Sequence, residues 1–269
     1  MSVLTVIPAR LGATRLPRKP LRLLGGVPVV VRVYQRVQSL GIGNACVVAT
    51  DDQEIVNVCA LYEVPVVLTS TNHPSGTDRV AEVAALSQFA HHDVILNVQG
   101  DEPFVTREAL HGAVSQVASG KAEIGTVGAF ATTDILNRPD VVKIVRDNNG
   151  FALYFSRAPI PFLRDPADAT TQSTLVRQHV GVYAYSPRAL REWVSLPPHP
   201  LEIVERLEQL RPLAHGLRIA VADVAAVPEG GIDTEDDLVR ANARWMEQET
   251  TAHAAATGSA LLNQTPSTS

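Results

Sequence analysis

Residues 2–21 read SVLTVIPARLGATRLPRKPL, an apolar run followed by a loop rich in basic residues and proline. The run Ser2–Pro8 predicts a buried strand. The loop comes next, so its cations are expected at the carboxyl end of that strand, where α/β proteins bind ligands. Five basic residues lie between Arg10 and Arg22, and residues 1–50 contain no Asp or Glu. A solvated basic face is the ordinary explanation of such a cluster, but its position after a strand favours an anion site.

After this strand, helix-like segments alternate with further apolar runs along the chain. Strands are predicted at residues 2–8, 45–50, 64–68, 93–98 and 125–130. Helices are predicted at residues 27–40, from Asp51 or Asp52 to about Tyr62, and at 77–88. This alternation is typical of a mainly parallel sheet with helices on both faces. The sequence therefore predicts a three-layer α/β/α fold.

The pattern changes between about residues 137 and 200. Three strand-like runs follow one another there without long helices, at 141–146, 151–155 and 177–185. Prolines interrupt the stretch between the last two runs. We interpret residues 137–200 as a β-rich subdomain inserted into a single α/β domain.

That domain is expected to span residues 1–247. Its last predicted elements are a helix at 201–210, a strand at 217–221 and a helix at 234–246. Residues 248–269 are rich in Ala, Thr and Ser without periodicity, and this composition predicts a disordered tail.

The composition excludes several classes of protein. The net charge of −5 argues against general nucleic-acid binding. No apolar run is long enough to cross a bilayer, and residues 1–8 lack the basic start of a signal peptide. We therefore expect a cytoplasmic protein without membrane insertion. Cys46 and Cys59, the only cysteines, lie in apolar surroundings and are expected to be reduced packing residues.

Three cations recur every four or five residues in the first loop, at Arg10, Arg15 and Lys19. A nucleoside triphosphate needs several fixed cations as charge moves to the leaving pyrophosphate. Arginine binds two phosphate oxygens at once, whereas lysine acts as a point charge. The loop is not a Walker A motif and lacks G-x-G-x-x-G. A P-loop kinase and a dinucleotide oxidoreductase are therefore disfavoured.

Two aspartates follow predicted strands through turns that contain glycine. Asp101 lies in the segment NVQGDEP of residues 97–103, and Asp233 lies in GIDT of residues 231–234. Two such carboxylates at one sheet edge could share a Mg²⁺ ion, which prefers a few carboxylates with phosphate oxygens and water. The alternatives are structural: Asp101 as a turn residue, and Asp233 or Thr234 as the cap of the last helix.

Seven stretches, in order from about residue 3 to 245, resemble the 3-deoxy-manno-octulosonate cytidylyltransferases, or CMP-KDO synthetases. They are Arg10–Leu21, His73–Arg79, Asn97–Pro103, Tyr154–Arg157, His179–Tyr183, Leu207–Arg211 and Gly231–Thr234. The first and third stretches together are highly specific. The related sialic acid cytidylyltransferases carry Gly-Ser-Lys where this chain has Ala-Thr-Arg at 13–15.

The resemblance implies a sheet of the nucleotide-diphospho-sugar transferase type and a nucleotide site. Arg10, Arg15 and Lys19 would hold the phosphates of CTP, and Asp101 and Asp233 would bind Mg²⁺. The catalytic residues would be Lys19, Arg10 and Asp101. The residues near the nucleoside would be Ser75, Gly76 and Thr77.

The resemblance also implies a sugar site and a homodimer formed largely through the inserted subdomain. The residues around the sugar acid would be Arg79, Gln99, Arg157, Arg164, His179, Tyr183, Glu208 and Gln209. Taken singly, several of them have structural explanations. His179 or Tyr183 could be core residues. Arg157 and Arg164 could be surface charges, and Glu208 could lie on a solvated helix face. Three departures from the family pattern lie in this region, at Gln178, at Ser186-Pro187, and at Pro212 with Ala214.

The activity implied is transfer of CMP from CTP to the anomeric hydroxyl of 3-deoxy-manno-octulosonate (KDO), for lipopolysaccharide-type glycan synthesis. The same chemistry on another ulosonic acid, such as 8-amino-KDO or a sialic-like sugar, is one alternative. A non-catalytic nucleotide-binding regulator is the other, and it is disfavoured because the cation loop and both aspartates occur together.

Overall fold

The computed structural model describes residues 1–12, 14–227 and 230–247. The strands of its first half are β1 (Val3–Ala9), β2 (Leu23–Leu24), β3 (Val27–Pro28), β4 (Ala45–Thr50), β5 (Val66–Leu68), β6 (Val94–Asn97) and β7 (Ile124–Phe130). The helices between them are α1 (Val29–Leu40), α2 (Gln53–Leu61), α3 (Gly76–Ala85) and α4 (Arg107–Ala118).

The second half adds four strands and five helices within the described residues. The strands are β8 (Lys143–Arg146), β9 (Ala152–Ser156), β10 (Arg177–Tyr185) and β11 (Ile219–Val224). The helices are α5 (Ala169–Leu175), α6 (Pro187–Ser195), α7 (Pro200–Glu205), α8 (Leu210–Ala214) and α9 (residues 235–247).

The central sheet has the strand order β11-β7-β10-β6-β1-β4-β5. The pairs β6-β1, β1-β4, β4-β5 and β11-β7 are parallel, whereas β10 runs antiparallel to both of its neighbours. The expected mainly parallel sheet is confirmed. The strands β8 and β9 extend from the sheet because β8 pairs with the first part of β10.

Helices cover both faces of this sheet, which gives the predicted three layers. Every residue of β1 is buried, and its side chains alternate between two cores. Ile7 packs into the core formed with α1 and α4, whereas Leu4 and Val6 pack into the core formed with α3 and α6. Continuous burial explains the unbroken apolar sequence of this strand.

The segment 137–200 does not form a unit separate from the central sheet. Its strand β10 is an interior strand between β7 and β6, and only β8 and β9 project outward. The three strands follow one another without a long helix between them, as expected, and α6 comes after β10, where Ser186 caps the helix by accepting from the Ala189 N–H at 3.1 Å. Its role as a dimerisation subdomain stays a prediction.

Two further expectations about helices need correction. The sequence pattern predicts no helix at residues 107–118, yet these residues form α4. The pattern is weak because it contains Gly112. This glycine allows α4 to approach β7 closely, since a Cβ there would meet Val127 at 2.9 Å. The single helix expected at 201–210 is divided into α7 and α8, since Arg206 adopts a left-handed conformation with φ of 55° and ends α7. The predicted disordered tail, 248–269, lies outside the described residues.

No helix in the described part of the chain is long and apolar enough to cross a membrane.

The two cysteines are packing residues, as expected. Cys46 and Cys59 are both buried, and burial raises their pKa values to about 12 and about 11. Because the thiolate is the reactive form, we expect a thiol reagent at pH 7.5 to label neither cysteine in the native protein within minutes. Both should react at once after unfolding in guanidinium chloride. Rapid native labelling, with the far-UV spectrum unchanged, would contradict their burial.

Candidate active site

A cleft of about 350 Å³ opens at the carboxyl ends of β1 and β6. It is formed by the loop after β1, the segment leading into α3, the turn after β6, and two residues from the last third of the chain. The charged and polar side chains that line it are Arg10, Thr14, Arg15, Lys19, His73, Ser75, Arg79, Gln99, Asp101, Glu208 and Asp233. The sheet therefore places its ligand site where open α/β folds place theirs.

Lys19 stands between the two aspartates at the centre of the cleft. Its ammonium contacts the carboxylate of Asp101 and lies 2.9 Å from Oδ1 of Asp233. The other oxygen of Asp233 accepts from Nη2 of Arg15 at 2.9 Å. Arg18, in a left-handed conformation with φ of 57°, starts the short turn Lys19–Leu21 that holds the lysine there.

Two carboxylates contact the ammonium of Lys19, and a third carboxyl group, Glu102, lies near them. Burial opposes the charge of Lys19, but Asp101 and Asp233 outweigh it and raise the pKa of this lysine. Burial, together with the nearby charges of Asp101 and Asp233, raises the pKa of Glu102 to about 8. Lys19 and Arg15 together pair with the two aspartates, and Glu102 is largely protonated at neutral pH.

The donor set suits Mg²⁺. Asp101 and Asp233 offer carboxylate oxygens on either side of one cation position, and substrate oxygens and water normally complete such a site. In the described residues, no group of three or more His, Cys, Asp or Glu side chains forms a complete metal cage of the protein's own. The two aspartates, 132 positions apart in sequence, thus meet as expected, while the metal itself stays a prediction.

The turn after β6 requires a glycine at position 100 because its backbone passes very close to β1. A Cβ on Gly100 would lie 2.7 Å from the carbonyl oxygen of Pro8. This approach brings the turn that carries Gln99 and Asp101 against the base of the cation loop, and it explains why a glycine precedes the aspartate.

The start of α3 provides the side of the cleft expected to hold the nucleoside. Ser75 caps this helix and also donates to Oδ2 of Asp78 at 2.6 Å. Ser75 and Gly76 line the cleft, whereas Thr77 is buried and donates to Oε2 of Glu208 at 3.0 Å. Thr77 therefore positions a cleft carboxylate and does not itself line the cleft.

Three of the residues expected around the sugar line the same cleft: Arg79, Gln99 and Glu208. Arg79 is only 3% exposed, donating to Thr69 at 2.6 Å and forming an ion pair with Asp51 at 2.9 Å. Asp51 therefore anchors an arginine, and Asp52 is the cap of α2. Burial raises the pKa of Glu208, against the opposing hydrogen bonds from Thr77 and Ser75.

Two other expected sugar residues lie in the core behind the cleft. The ring of His179 packs against Phe155 at 5.1 Å and Tyr183 at 5.4 Å, and its Nε2 lies 3.2 Å from Oγ1 of Thr126. Burial lowers the pKa of His179 to about 3 and raises that of Tyr183. Neither side chain lines the cleft, because β10 is an interior strand.

The last three expected sugar residues are also outside the cleft of a single chain. Arg157 donates to the carbonyl oxygens of Glu205 at 2.9 Å and Pro139 at 3.0 Å. Arg164 is exposed, and Gln209 is buried. Arg157 thus has a structural task in this chain, since it ties the end of α7 to the segment before β8.

Comparisons with known proteins agree with this geometry. The family model described as Cytidylyltransferase matches residues 4–219. A protein of Gemmatimonas aurantiaca named 3-deoxy-manno-octulosonate cytidylyltransferase is 68% identical over 245 residues, which cover 91% of this chain and 95% of that protein. The chain belongs to the 3-deoxy-manno-octulosonate cytidylyltransferase family. A relative of the same name from Polynucleobacter necessarius subsp. necessarius is 45% identical over 88% of this chain and 93% of its own length.

Solved structures agree with the assignment to this cytidylyltransferase family. The structure of a CMP:2-keto-3-deoxy-manno-octonic acid synthetase complexed with CTP is 33% identical, with a TM-score of 0.84, and covers 93% of this chain and 100% of that chain. A 4-diphosphocytidyl-2C-methyl-D-erythritol synthase from Anaerococcus prevotii is 15% identical, with a TM-score of 0.59 over 91% of this chain and 98% of its own. The second similarity concerns the fold alone.

Two residues at the site, His73 and Glu102, were not among the predicted site residues. His73 lines the cleft, and its Nε2 contacts the carboxylate of Glu82, which also accepts from the Ser70 N–H at 3.0 Å. Glu102 adds the third carboxyl group of the central cluster. Both lie in stretches that carried the family resemblance, so their position in those motifs was the available signal.

Proposed function

We propose that this chain transfers CMP from CTP to the anomeric hydroxyl of KDO and releases pyrophosphate. The observation that carries the proposal is Lys19, held between Asp101 and Asp233 in a cleft lined by Arg10 and Arg15. A bond forms between the sugar oxygen and the α-phosphorus, while the bond from that phosphorus to the bridging oxygen of the β-phosphate breaks. The hydroxyl proton is released as the new ester forms.

The chain's own cations stabilise the charge that moves onto pyrophosphate. Arg10 and Arg15 are exposed on the cation loop, Arg15 in an ion pair with Asp233, whereas Lys19 is half-buried and held between two carboxylates. A cation that is already oriented lowers the barrier without reorganisation during the reaction. We assign Lys19, Arg10 and Asp101 as the catalytic residues, and Ser75 and Gly76 as neighbours of the nucleoside.

Asp101 and Asp233 would hold Mg²⁺ in this proposal. When bound, the ion supplies positive charge that offsets repulsion between the carboxylates and the phosphates and polarises the phosphoryl group. The structural support is that Asp101 and Asp233, from distant parts of the chain, bring their carboxylates together in the cleft, where both contact Lys19. We propose a cytoplasmic location for the reaction, since both CTP and its cation are cytoplasmic.

A homodimer is proposed from the exposed apolar side chains of one region. Leu153 and Leu175 are 59% and 52% exposed and line one groove with Arg177. Arg177 in turn lies 3.8 Å from the ring centre of Phe130, and the neighbouring Phe162 is 77% exposed. Apolar patches of this kind mark interaction surfaces. The patch lies on β7 and on the segment 137–200, which the sequence predicted to mediate dimerisation.

The decisive experiment measures pyrophosphate release from CTP and Mg²⁺ with a panel of sugar acids. KDO is expected to give the highest kcat/KM, above 8-amino-KDO and N-acetylneuraminic acid. A different best sugar would keep the cytidylyltransferase chemistry and overturn the substrate. If none of the sugar acids releases pyrophosphate while CTP still binds, the chain would instead act as a nucleotide-binding regulator.

Variants of Gln99 and Arg157 distinguish a role in binding the sugar acid from a structural role. Gln99 lines the cleft, so we expect Gln99→Ala to raise the KM for the sugar acid about tenfold and change that for CTP little. Arg157 bonds to backbone carbonyls outside the cleft, so Arg157→Ala is expected to lower the melting temperature as well. Steady-state kinetics and thermal melts test both. Equal losses of CTP and sugar binding in Gln99→Ala would refute this division.

A further inference from the structure

A nearly buried ion pair joins α7 to α8. Nε and Nη2 of Arg211 donate to the two carboxylate oxygens of Glu202 at 2.8 Å and 2.5 Å. The side chains of Arg211 and Glu202 are only 8% and 12% exposed, so water screens their attraction little. Neither side chain lines the active-site cleft.

Stability alone does not explain this ion pair. Two charges lose their hydration when they are buried, and the attraction between them often only offsets that cost. What the pair provides is a fixed geometry, because a planar guanidinium that donates two parallel bonds to one carboxylate sets both the distance and the angle between them. The segment that α7 and α8 hold between them is therefore the place where the pair acts.

That segment is the loop 206–209, which carries Glu208 into the cleft. Arg206 turns the chain with its φ of 55°, and its N–H donates to the carbonyl oxygen of Glu202. At the other end of the loop, the N–H of Arg211 donates to the carbonyl oxygen of Glu208 at 3.0 Å. Each member of the ion pair therefore also bonds to the backbone of the loop, one at each end.

The helix α7 is itself anchored, so the ion pair connects the loop to a fixed element. The carboxylate of Glu205, at the end of α7, accepts from Oγ of Ser156 at 2.5 Å and from the N–H of Arg157 at 2.9 Å. Ser156 is the last residue of β9, and Arg157 follows it. The position of Glu208 thus depends on β9 through α7 and the ion pair.

The charge of Arg211 also acts on Glu208. Burial raises the pKa of Glu208, and the nearby carboxylate of Asp78 acts in the same direction. Arg211 opposes this rise, as do the hydrogen bonds from Thr77 and Ser75. Because an ionised carboxylate only accepts hydrogen bonds, Arg211 favours the form of Glu208 that accepts from the hydroxyl groups of a sugar.

We propose that Glu202 and Arg211 are positioning residues for the sugar acid, which hold Glu208 so that its carboxylate faces the hydroxyl groups of that substrate. This role rests on the proposed function, in which Glu208 belongs to the sugar side of the cleft. Both residues act through Glu208, since neither lines the cleft themselves. Their loss should therefore weaken binding of the sugar acid more than binding of CTP, whose phosphates are expected on the loop after β1.

Steady-state kinetics of pyrophosphate release test this role, with CTP and KDO varied separately. Glu202→Gln removes the charge of one partner and keeps its shape, whereas Arg211→Lys keeps the charge and removes the paired bonds. We expect Glu202→Gln to raise the KM for KDO about tenfold and to change that for CTP by less than about twofold. Arg211→Lys should raise the KM for KDO less, because the charge beside Glu208 remains.

A destabilised variant elsewhere separates positioning from loss of stability. Glu202→Gln should lower the melting temperature, because the buried Arg211 loses its charged partner. Val37→Ala, at a buried position of α1 outside the cleft, should also lower the melting temperature but leave both KM values unchanged. All assays are run well below the lowest melting temperature. If Glu202→Gln fails to fold, Arg211→Lys provides the same comparison.

A double variant shows whether the ion pair acts through Glu208. Glu208→Ala alone should raise the KM for KDO, and Glu202→Gln added to it should change that KM by less than about twofold, since the positioned group is already absent. Multiplying effects, an unchanged KM for KDO in Glu202→Gln, or equal increases for KDO and CTP would overturn the proposal. Absence of pyrophosphate release by the unmodified protein with every sugar acid would overturn the proposed function, and the positioning role with it.

Discussion

Replacing either Asp101 or Asp233 by Asn is expected to remove most of the activity and to raise the magnesium concentration needed for what remains. Both carboxylates contact the ammonium of Lys19, so both face the same cation position in the cleft. Asparagine keeps the size of the side chain and removes its charge. Each carboxylate acts on the phosphates through the cation that it holds, and the loss of one preorganised electrostatic contact typically lowers kcat by roughly two to three decades.

The double variant separates one shared site from two independent roles. If both aspartates act through one ion, Asp101→Asn with Asp233→Asn should be little worse than the worse single variant. Magnesium titrations of pyrophosphate release measure this. Multiplying losses would contradict a shared ion.

The fold should survive these changes. The contact between Lys19 and Asp101 is partly solvent-accessible, and removing one carboxylate also relieves the repulsion that raises the pKa of Glu102. These effects oppose each other, so the melting temperature should change little. Asp236→Asn is the matched control, because Asp236 is exposed on α9 three residues from Asp233. It should behave as the unmodified protein does.

Lys19→Ala is expected to lower kcat by roughly two to three decades, equivalent to ~3–4 kcal/mol, as does the loss of one oriented charge contact elsewhere. The lysine is held by two carboxylates before substrate arrives, so its position requires no reorganisation. Its KM for CTP should rise less than kcat falls, if the contact with phosphate strengthens as pyrophosphate leaves.

A neighbouring cation of the same loop provides the control for Lys19. Arg18 contacts the carboxylate of Glu54 and does not line the cleft. Arg18→Gln should therefore retain nearly full activity. Full activity in Lys19→Ala would show that the lysine is not catalytic, and loss of the native circular dichroism spectrum would show a structural role instead.

The alternation of strands and helices that follows the first strand could be predicted from the sequence because it depends on the local pattern of apolar residues. β4 and β10 occupy the predicted residues, 45–50 and 177–185, and for β4 the reason is that a strand buried on both faces is a continuous apolar run. The helix α4 was missed because Gly112 serves a contact with β7 that no local pattern records. Arg206 likewise ends α7 in a conformation that its residue type does not announce.

For the site, the sequence by itself determined which residues end the strands and which cations occupy the first loop. These are local properties: a strand of a given length delivers the next side chain to the sheet edge, and prolines and glycines shape the turn that follows. Arg10, Arg15, Lys19, Asp101 and Asp233 were identified in this way and line one cleft. The motif resemblance added Ser75, Gly76, Arg79, Gln99 and Glu208.

Only the tertiary structure decided which of these side chains meet. Lys19 lies between aspartates 132 positions apart, and Arg79 is anchored by Asp51 from another element. His179, half-buried, and Tyr183, buried, lie outside the cleft on β10, which enters the sheet between β6 and β7. Strand order and long-range ion pairs depend on how whole elements pack. That packing minimises exposed apolar area and unpaired buried charge over the entire chain, which no single stretch of sequence encodes.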